Sequence, residues 1–332
     1  MFDVMCLPSL NLEFRLKSDA VIPEGMRGKK LTAESLEFGS EKVTASVQGQ
    51  RFSFEVSGLV PTLAGSSVNC AVGFSRLGLK TVLAGAVRGD VESLETVATL
   101  FVERGAVMAT TLCVVDSTGA ATLFCKKPPY TLSDLLLKQL SSVSCPMVVA
   151  TGVRQAEIAV VTELFQKRLT RAHCNMLTPN AEVIGSSGLN QLLRFTDVLQ
   201  INEVEAEMLV GRTEDPGRAA LSLLKLGPKV VLLTLGNQGA AVAVFSEDGN
   251  HTVFWQEALK AQVVDTTGAG DAFTVGFVSA LHMGLGHGEC LKVAAWTAAE
   301  NISAFGGHGG MPYKERLSEY LAGQNIGNLK AA

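Results

Sequence analysis

Short apolar runs that alternate with helical patterns constrain the fold of this chain more than any other feature. Each run is four to seven residues long and consists mostly of Val, Leu, Ala, Ile and Met. Strands that are buried on both faces of a sheet have this composition. Their alternation with helices predicts a parallel sheet that is wound on both sides. The runs lie at 81–87, 147–151, 175–178, 197–201, 229–234 and 240–245.

Stretches of helical period separate these runs. In one of them, Ile158, Val161, Leu164 and Phe165 recur at the spacing that places apolar residues on a single helix face. We therefore expect amphipathic helices between the strands. They are predicted at 68–78, 92–104, 155–168, 203–210, 217–226, 271–284 and 290–304.

The N-terminal part has a different pattern. The runs 43–47 and 51–56 alternate apolar and polar residues, which predicts a small antiparallel sheet with one exposed face. The run 111–125 contains a turn at 116–119 and predicts a hairpin of the same kind. We expect the segments at about 11–62 and 111–128 to form a β appendage on an α/β body, with residues 1–332 as one domain.

Composition excludes several classes of protein. The chain has 332 residues, of which 47% are hydrophobic, and this is enough to bury a large core. A net charge of −4 without a basic stretch argues against nucleic acid and against anionic membranes as partners. We expect neither a signal peptide nor an apolar run of the roughly 18 residues that a membrane span needs. Seven cysteines without C-x-x-C spacing favour a cytoplasmic protein without disulfides or zinc.

The segment 263–281, VVDTTGAGDAFTVGFVSAL, predicts an anion-binding turn. We expect a strand to end at Asp265, a turn of small residues at 268–270, and a helix from about Asp271. The start of a helix presents unpaired N–H groups and a positive dipole end, which together attract phosphate. Asp271 could accept the proton of an attacking hydroxyl, or could simply favour the helix start.

The string DTTGAGD resembles the C-terminal signature of the ribokinase-like, or PfkB, family of carbohydrate and nucleoside kinases. The resemblance implies a three-layer α/β/α sandwich with a mainly parallel central sheet and a small β-sheet lid. It assigns an anion hole to Gly268, Ala269 and Gly270 and the role of catalytic base to Asp271. It also places Thr266 in the nucleotide site.

Two further motifs are similar to motifs of that family. Asn202-x-x-Glu205 resembles the motif that places Mg²⁺ and phosphates, with Glu205 acting on the metal through water, although the same spacing is a helix capping box. Thr234-x-Gly236-x-x-Gly239 resembles a nucleotide-binding loop, and an ordinary turn between strands has the same composition.

The segment 63–90 resembles the N-terminal signature of the family and implies that Gly65 and Asn69 contact the substrate. The first strand departs from the family pattern. Leu7-Pro8 stands where a glycine is expected, and Asn11 or Glu13 stands where an aspartate usually binds substrate hydroxyls. This departure indicates an unusual acceptor or a degenerate acceptor site.

Two features have two interpretations each. The glycine-rich stretch 306–310 stands where the family lines the adenine or a monovalent-cation site, and it could equally be a plain loop. Arg154 follows a predicted strand, where it could reach a substrate or remain solvated.

These motifs together predict a magnesium-dependent kinase that transfers the γ-phosphoryl group of ATP to a hydroxyl of a ribose- or fructose-like sugar or of a nucleoside. Activation by K⁺ stays open. The alternatives are a vitamin-type hydroxymethyl kinase of the same fold and a non-catalytic sensor that binds nucleotide or sugar. Exposed edges of the lid sheet suggest a homodimer.

Overall fold

The structure is a computed structural model that describes most of the chain. The described residues are 2–8, 11–18, 22–38, 41–56, 62–87, 99–104, 109–126, 140, 143–168, 174–213, 215–245, 250–324 and 326.

A nine-stranded sheet forms the centre of this described part. Six neighbouring pairs are parallel, and two pairs at one edge are antiparallel. All six predicted apolar runs form strands of this sheet, so the predicted mainly parallel sheet is confirmed. Its strands, in spatial order, are β17 (His251–Gln256), β16 (Ala240–Phe245), β15 (Val230–Thr234), β14 (Val198–Asn202), β13 (Cys174–Pro179), β12 (Met147–Val153), β1 (Val4–Pro8), β8 (Thr81–Val87) and β9 (Thr99–Arg104).

Strand β9 corrects one of the helix predictions. Residues 99–104 pair in parallel with β8, so the helix predicted at 92–104 is wrong over its last six residues. Thr99, Phe101 and Val102 are good strand formers, and pairing with β8 satisfies the backbone groups on one side of the strand. Residues 92–98 lie outside the described residues.

Helices cover both faces of the central sheet, and six of the seven predicted helices are present. One core packs four helices of the described part against one face, and a second core packs the other four against the opposite face. Val4 and Cys6 of β1 belong to the first core, and Met5 and Leu7 belong to the second, as alternation along a strand requires. The helices of the first core are α1 (Ser66–Arg76), α6 (Ala269–His282), α7 (His287–Asn301) and α8 (Lys314–Gly323). Those of the second core are α2 (Ile158–Arg168), α3 (Ser187–Leu193), α4 (Glu203–Val210) and α5 (Pro216–Leu224).

Two smaller sheets are built from the N-terminal segment and from the predicted hairpin. One of them has five strands and contains the hairpin as β10 (Ala109–Val115) and β11 (Ala121–Lys126). Strands β2 (Asn11–Lys17) and β3 (Lys30–Thr32) pair with the hairpin in parallel, so this sheet is mixed. The three-stranded sheet is antiparallel throughout. The strands of the five-stranded sheet, in spatial order, are β3, β11, β10, β2 and β7 (Thr62–Ala64). Those of the three-stranded sheet are β4 (Ser35–Phe38), β5 (Lys42–Val47) and β6 (Gln50–Glu55).

The two small sheets share an aromatic core. The rings of Phe52 and Phe54 lie 5.4 and 5.5 Å from the ring of Phe124, measured between centroids. None of the helices in the described part combines the length and the hydropathy that crossing a bilayer requires.

Candidate active site

The anion loop, residues 265–271, leads into the N-terminus of α6. The helix begins at Ala269, and its N-cap Gly268 is left-handed with φ 75° and has no side-chain cap. The predicted strand ending at Asp265 is wrong, because residues 257–268 form no strand and connect β17 to α6 irregularly. The predicted turn and the helix start are present, and the helix dipole makes this end positive.

Gly268 lies against a second glycine-rich loop. A Cβ atom built on Gly268 would lie 1.9 Å from the carbonyl oxygen of Gly307. The loop 306–310 therefore touches the anion loop directly, and it does so at a residue with positive φ that only glycine adopts without strain.

Gln200 supports the first turn of α6 from β14. Its Nε2 donates to the carbonyl of Gly270 at 2.8 Å, and its Oε1 accepts from the Thr274 hydroxyl at 2.7 Å. Gln200 is buried, and sequence reasoning missed it. A polar residue inside a buried apolar strand was the available signal, because such a group needs hydrogen-bond partners.

Asp271 and Asn69 are 202 residues apart in sequence and meet in the structure. Asn69 Nδ2 of α1 donates to Asp271 Oδ2 at 2.7 Å. Asn69 is buried and Asp271 is half-buried in the first turn of α6. The predicted base and one predicted substrate contact therefore lie side by side.

His308 holds the other end of the Asn69 amide. Its Nδ1 lies 3.0 Å from Asn69 Oδ1. Burial, and then the charges of Arg76 and Arg15, lower the pKa of His308 to about 4, so the ring is neutral at pH 7. Since Asn69 Nδ2 faces Asp271, Asn69 Oδ1 must accept, and the network assigns the ring proton to Nδ1.

Two buried thiols lie beneath the site. Burial, and then neighbouring groups that include Asp271, raise the pKa values of Cys6 and Cys70 well above the usual range. Cys70 Sγ lies 3.8 Å from the Asp271 carbonyl oxygen. Both thiols stay protonated at neutral pH, so neither adds a negative charge near Asp271.

Asn202 and Glu205 form a complete capping box at the start of α4. Asn202 N–H donates to Glu205 Oε2 at 3.1 Å, and Glu205 N–H donates to Asn202 Oδ1 at 2.9 Å. Burial raises the pKa of Glu205, and the hydrogen bonds from Asn202 and the charge of Lys30 oppose that rise. Across the described residues no three His, Cys, Asp or Glu side chains cluster as a ready-made metal site.

The residues predicted to bind nucleotide lie at the ends of β15 and β16 and before α6. Thr234 ends β15, and Gly236 has φ 59°. Gly239 is required by packing, because a Cβ there would lie 2.1 Å from the Gln256 carbonyl oxygen. Thr266 donates to the carbonyl of Gly119 in the β10–β11 turn, from N at 3.1 Å and from Oγ1 at 3.3 Å.

The remaining predicted residues lie at the start of α1 and in β2. Gly65 is the N-cap of α1 with φ 110°. Asn11 pairs with Ala64 and Glu13 pairs with Thr62 through the backbone, and the side chains of Asn11 and Glu13 lie outside the described part of the structure.

Arg154 is half-buried and forms an ion pair within its own segment. Its Nη2 pairs with Glu157 Oε1 at 2.5 Å, and the Glu157 side chain is buried. The two residues also form a capping interaction at the turn before α2.

Comparison with known proteins gives one family. A model described as "pfkB family carbohydrate kinase" matches residues 44–313. A ribokinase from Arabidopsis thaliana is 37% identical over 136 residues, which is 40% of this chain and 35% of that protein. The chain thus aligns with well under half of the length of this curated relative.

Solved structures share the fold over nearly the whole chain. The structure of Arabidopsis thaliana ribokinase complexed with ribose and ATP has a TM-score of 0.70 and 22% identity, and the match covers 96% of this chain and 98% of that one. Adenosine kinase from Sinorhizobium meliloti has a TM-score of 0.71 and 19% identity, with 96% and 99% covered. At these identities the likeness establishes the fold, and the predicted ribokinase-like fold is confirmed.

Replacement of Gly268 by alanine should destabilise the protein. The new methyl group would collide with the Gly307 carbonyl at a positive φ, and we expect the free energy of unfolding to fall by about 1–3 kcal/mol or more. Gly270→Ala is the matched control, since its nearest neighbour would be Gln200 Nε2 at 3.6 Å. Urea denaturation compares the two, and equal stability would contradict the close approach of the loops.

His308 should make the stability depend on pH. Its folded pKa of about 4 lies below the ordinary value of 6.5, so between these values the unfolded chain binds a proton that the folded protein does not. Stability is therefore expected to fall as the pH drops from 6.5 to 4. Urea midpoints across this range should show a shallower slope for His308→Gln than for the wild type. An unchanged slope for His308→Gln would exclude this role.

Proposed function

Because the chain belongs to the pfkB family of carbohydrate kinases, we propose that it transfers the γ-phosphoryl group of ATP to a hydroxyl group of a small acceptor. One observation supports this more than any other: Asp271 lies in the first turn of α6, with its carboxylate 2.7 Å from Asn69. A base and an anion-binding helix end then stand next to each other, as phosphoryl transfer to a hydroxyl requires.

Asp271 is the proposed general base. It accepts the proton of the acceptor hydroxyl as that oxygen attacks the γ-phosphorus; an O–P bond forms, and ADP leaves with the electrons of the broken P–O bond. Asn69 orients the carboxylate by its hydrogen bond. Gln200 holds Gly270, so that the amides of Gly268, Ala269 and Gly270 can stabilise charge on the transferred phosphoryl oxygens.

ATP is proposed to lie across the carboxyl ends of β14 and β15, where ligands of open α/β sheets bind. Thr234, Gly236 and Gly239 would line one side of the nucleotide, and Thr266 would lie beside its phosphates. The bond from Thr266 to Gly119 brings the β10–β11 turn to the same place, so the five-stranded sheet is positioned to cover the site as a lid. A cover of this kind excludes water and suppresses ATP hydrolysis.

Mg²⁺ fits this arrangement with few protein ligands. In phosphoryl-transfer sites the ion is commonly held by one or two carboxylates, by water and by the substrate phosphates. Glu205 is a half-buried carboxylate fixed by Asn202, and we propose that it holds the ion through water. When bound, Mg²⁺ would neutralise charge on the β- and γ-phosphates.

The acceptor is proposed to be a ribose- or fructose-like sugar or a nucleoside that lies between the lid and the start of α1. Gly65 and Asn69 would contact it from α1, and Asn11 and Glu13 would contact it from β2. Similarity to a ribokinase supports a sugar as the acceptor, and the fold shared with an adenosine kinase is the reason to include nucleosides among the proposed acceptors. Since ATP is consumed, we propose that the protein works in the cytoplasm.

An ATP-consumption screen tests the proposal. Ribose, fructose, other ketoses and aldoses, the common nucleosides and vitamins with a hydroxymethyl group would each be offered with ATP and Mg²⁺. Asp271→Asn keeps the size of the side chain and removes the base, so turnover should fall by about 100-fold or more while ATP affinity stays nearly unchanged.

The outcomes separate the candidate functions. A hit on a sugar or nucleoside that is lost in Asp271→Asn supports the proposal, and a hit on a vitamin replaces the proposed acceptor class. Binding of ATP without turnover of any acceptor favours a sensor. Turnover by Asp271→Asn within a few-fold of the wild-type rate would remove Asp271 as the base.

We also propose a homodimer through the five-stranded sheet. Within the described pairings β3 and β7 are its edges, and such edges can pair with a second copy. Light scattering at micromolar concentration should give twice the mass of one chain. A monodisperse monomer would exclude the dimer.

A further inference from the structure

The first aspartate of the DTTGAGD string is fully buried. Asp265 Oδ1 accepts from the Thr267 N–H at 2.9 Å. Asp265 Oδ2 accepts from the Gly306 N–H at 2.9 Å and from Arg15 Nη1 at 2.5 Å. A carboxylate taken out of water is costly unless donors and an opposite charge surround it. Arg15 supplies that charge.

Arg15 comes from β2, in a different sheet and 250 residues away in sequence. Only 9% of its side chain is exposed. Its Nη1 also donates to Thr267 Oγ1 at 3.1 Å, and its guanidinium lies over the Phe305 ring, 5.4 Å from the centroid. One side chain therefore contacts both the anion loop and the segment that leads into loop 306–310.

The same crevice is where a monovalent cation would be sought, because loop 306–310 resembles the stretch that lines such a site. The residues present do not fit a cation there. The negative charge of Asp265 is already matched by Arg15, and the carbonyls of Thr267 and Gly307 accept from Asn301 Nδ2 at 3.3 and 3.2 Å. A free K⁺ would have to displace the guanidinium or share a small space with it, and like charges at such distances repel.

We propose that Arg15 is a built-in cation that takes the place of a monovalent ion at Asp265. It acts as a positioning residue: by binding Asp265 and Thr267 it fixes the backbone conformation of the anion loop directly before α6. Two consequences follow. The protein has no requirement for K⁺, and removal of Arg15 creates a vacancy that a small cation can fill. The effect on turnover rests on the proposed kinase function, whereas the effect on cation binding does not.

The first test uses the wild-type protein in KCl, NaCl and tetramethylammonium chloride at equal ionic strength. Turnover with the acceptor found in the screen, and affinity for a non-hydrolysable ATP analogue by calorimetry, should agree within about twofold among the salts, since no ion enters the site. Activation by K⁺ or Na⁺ of more than about fivefold over tetramethylammonium would overturn the proposal.

The second test uses Arg15→Ala, with Lys17→Ala as the matched control. Lys17 follows Arg15 on the same strand and lies over the same Phe305 ring, 5.1 Å from its centroid, but it is exposed. In tetramethylammonium chloride, Arg15→Ala should lose turnover by about 100-fold, as expected when a catalytic loop is displaced by about 1 Å. Addition of K⁺ or guanidinium should raise the turnover of Arg15→Ala at least about tenfold. The turnover of Lys17→Ala should equal that of the wild type.

Three results would contradict the proposal. They are full turnover of Arg15→Ala in tetramethylammonium, a loss that neither K⁺ nor guanidinium restores, and an equal loss in Lys17→Ala. If Arg15→Ala does not fold, Arg15→Lys takes its place. That variant keeps the charge with fewer donors, so its turnover should remain independent of K⁺, and activation by K⁺ would count against the proposal.

A thermal readout separates this inference from the proposed function. The unfolding temperature of Arg15→Ala should be higher in KCl than in tetramethylammonium chloride, and that of the wild type should be the same in both. This measurement needs no acceptor. If no acceptor is ever phosphorylated but this difference is observed, the cation role of Arg15 stands and the kinase proposal fails. If the unfolding temperature of Arg15→Ala is the same in both salts, the inference fails whatever the acceptor screen finds.

Discussion

The close approach of two backbones organises the candidate active site. A methyl group on Gly268 would lie 1.9 Å from the Gly307 oxygen, and one on Gly307 would lie 2.7 Å from the Asn69 amide. Because both positions lack a side chain, the start of α6, the loop 306–310 and α1 converge on one point. The Asn69–Asp271 hydrogen bond, the His308–Asn69 hydrogen bond and the Gly306–Asp265 hydrogen bond all depend on this convergence. The orientation of the proposed base is therefore a property of packing among three segments, and not of its own helix alone.

The two aspartates of the anion loop have opposite environments. Asp265 is fully buried and is neutralised by Arg15, whereas Asp271 is half-buried and is approached by the neutral amide of Asn69. Around Asp271 the thiols of Cys6 and Cys70 are protonated, and the ring of His308 is neutral at pH 7. The carboxylate of Asp265 therefore has an opposite charge in contact with it, whereas the hydrogen bond to Asp271 comes from an uncharged amide. The two ends of the loop therefore differ in charge environment, and the proposed base stands at the other end from the Arg15–Asp265 ion pair.

Much of the fold and the start of α6 could be predicted from local sequence, whereas the details of the candidate site depend on contacts between residues that are distant in sequence. Continuous apolar runs were sufficient to predict six of the nine strands of the central sheet, and the glycines at 268 and 270 were sufficient to predict the helix start. The strand at 99–104 was missed because its order of apolar residues also suits a helix, and only pairing with β8 decides between them. Arg15 and His308 have no local signal at all, since their partners lie 250 and 239 residues away. The capping box at Asn202 and Glu205 is present, and its presence leaves the metal role of Glu205 to experiment.

Strand β2 joins two regions that would otherwise be separate. It pairs with β7, which runs directly into Gly65 at the start of α1, and four residues after Asn11 the same strand places Arg15 on Asp265. The proposed acceptor contacts and the geometry of the anion loop therefore depend on the same strand. A chimera that takes residues 8–18 from a relative also exchanges Arg15, the counter-charge of a carboxylate that lies 250 residues away in the sequence. Recombination between family members should tolerate a crossover here only when positions 15 and 265 are inherited together.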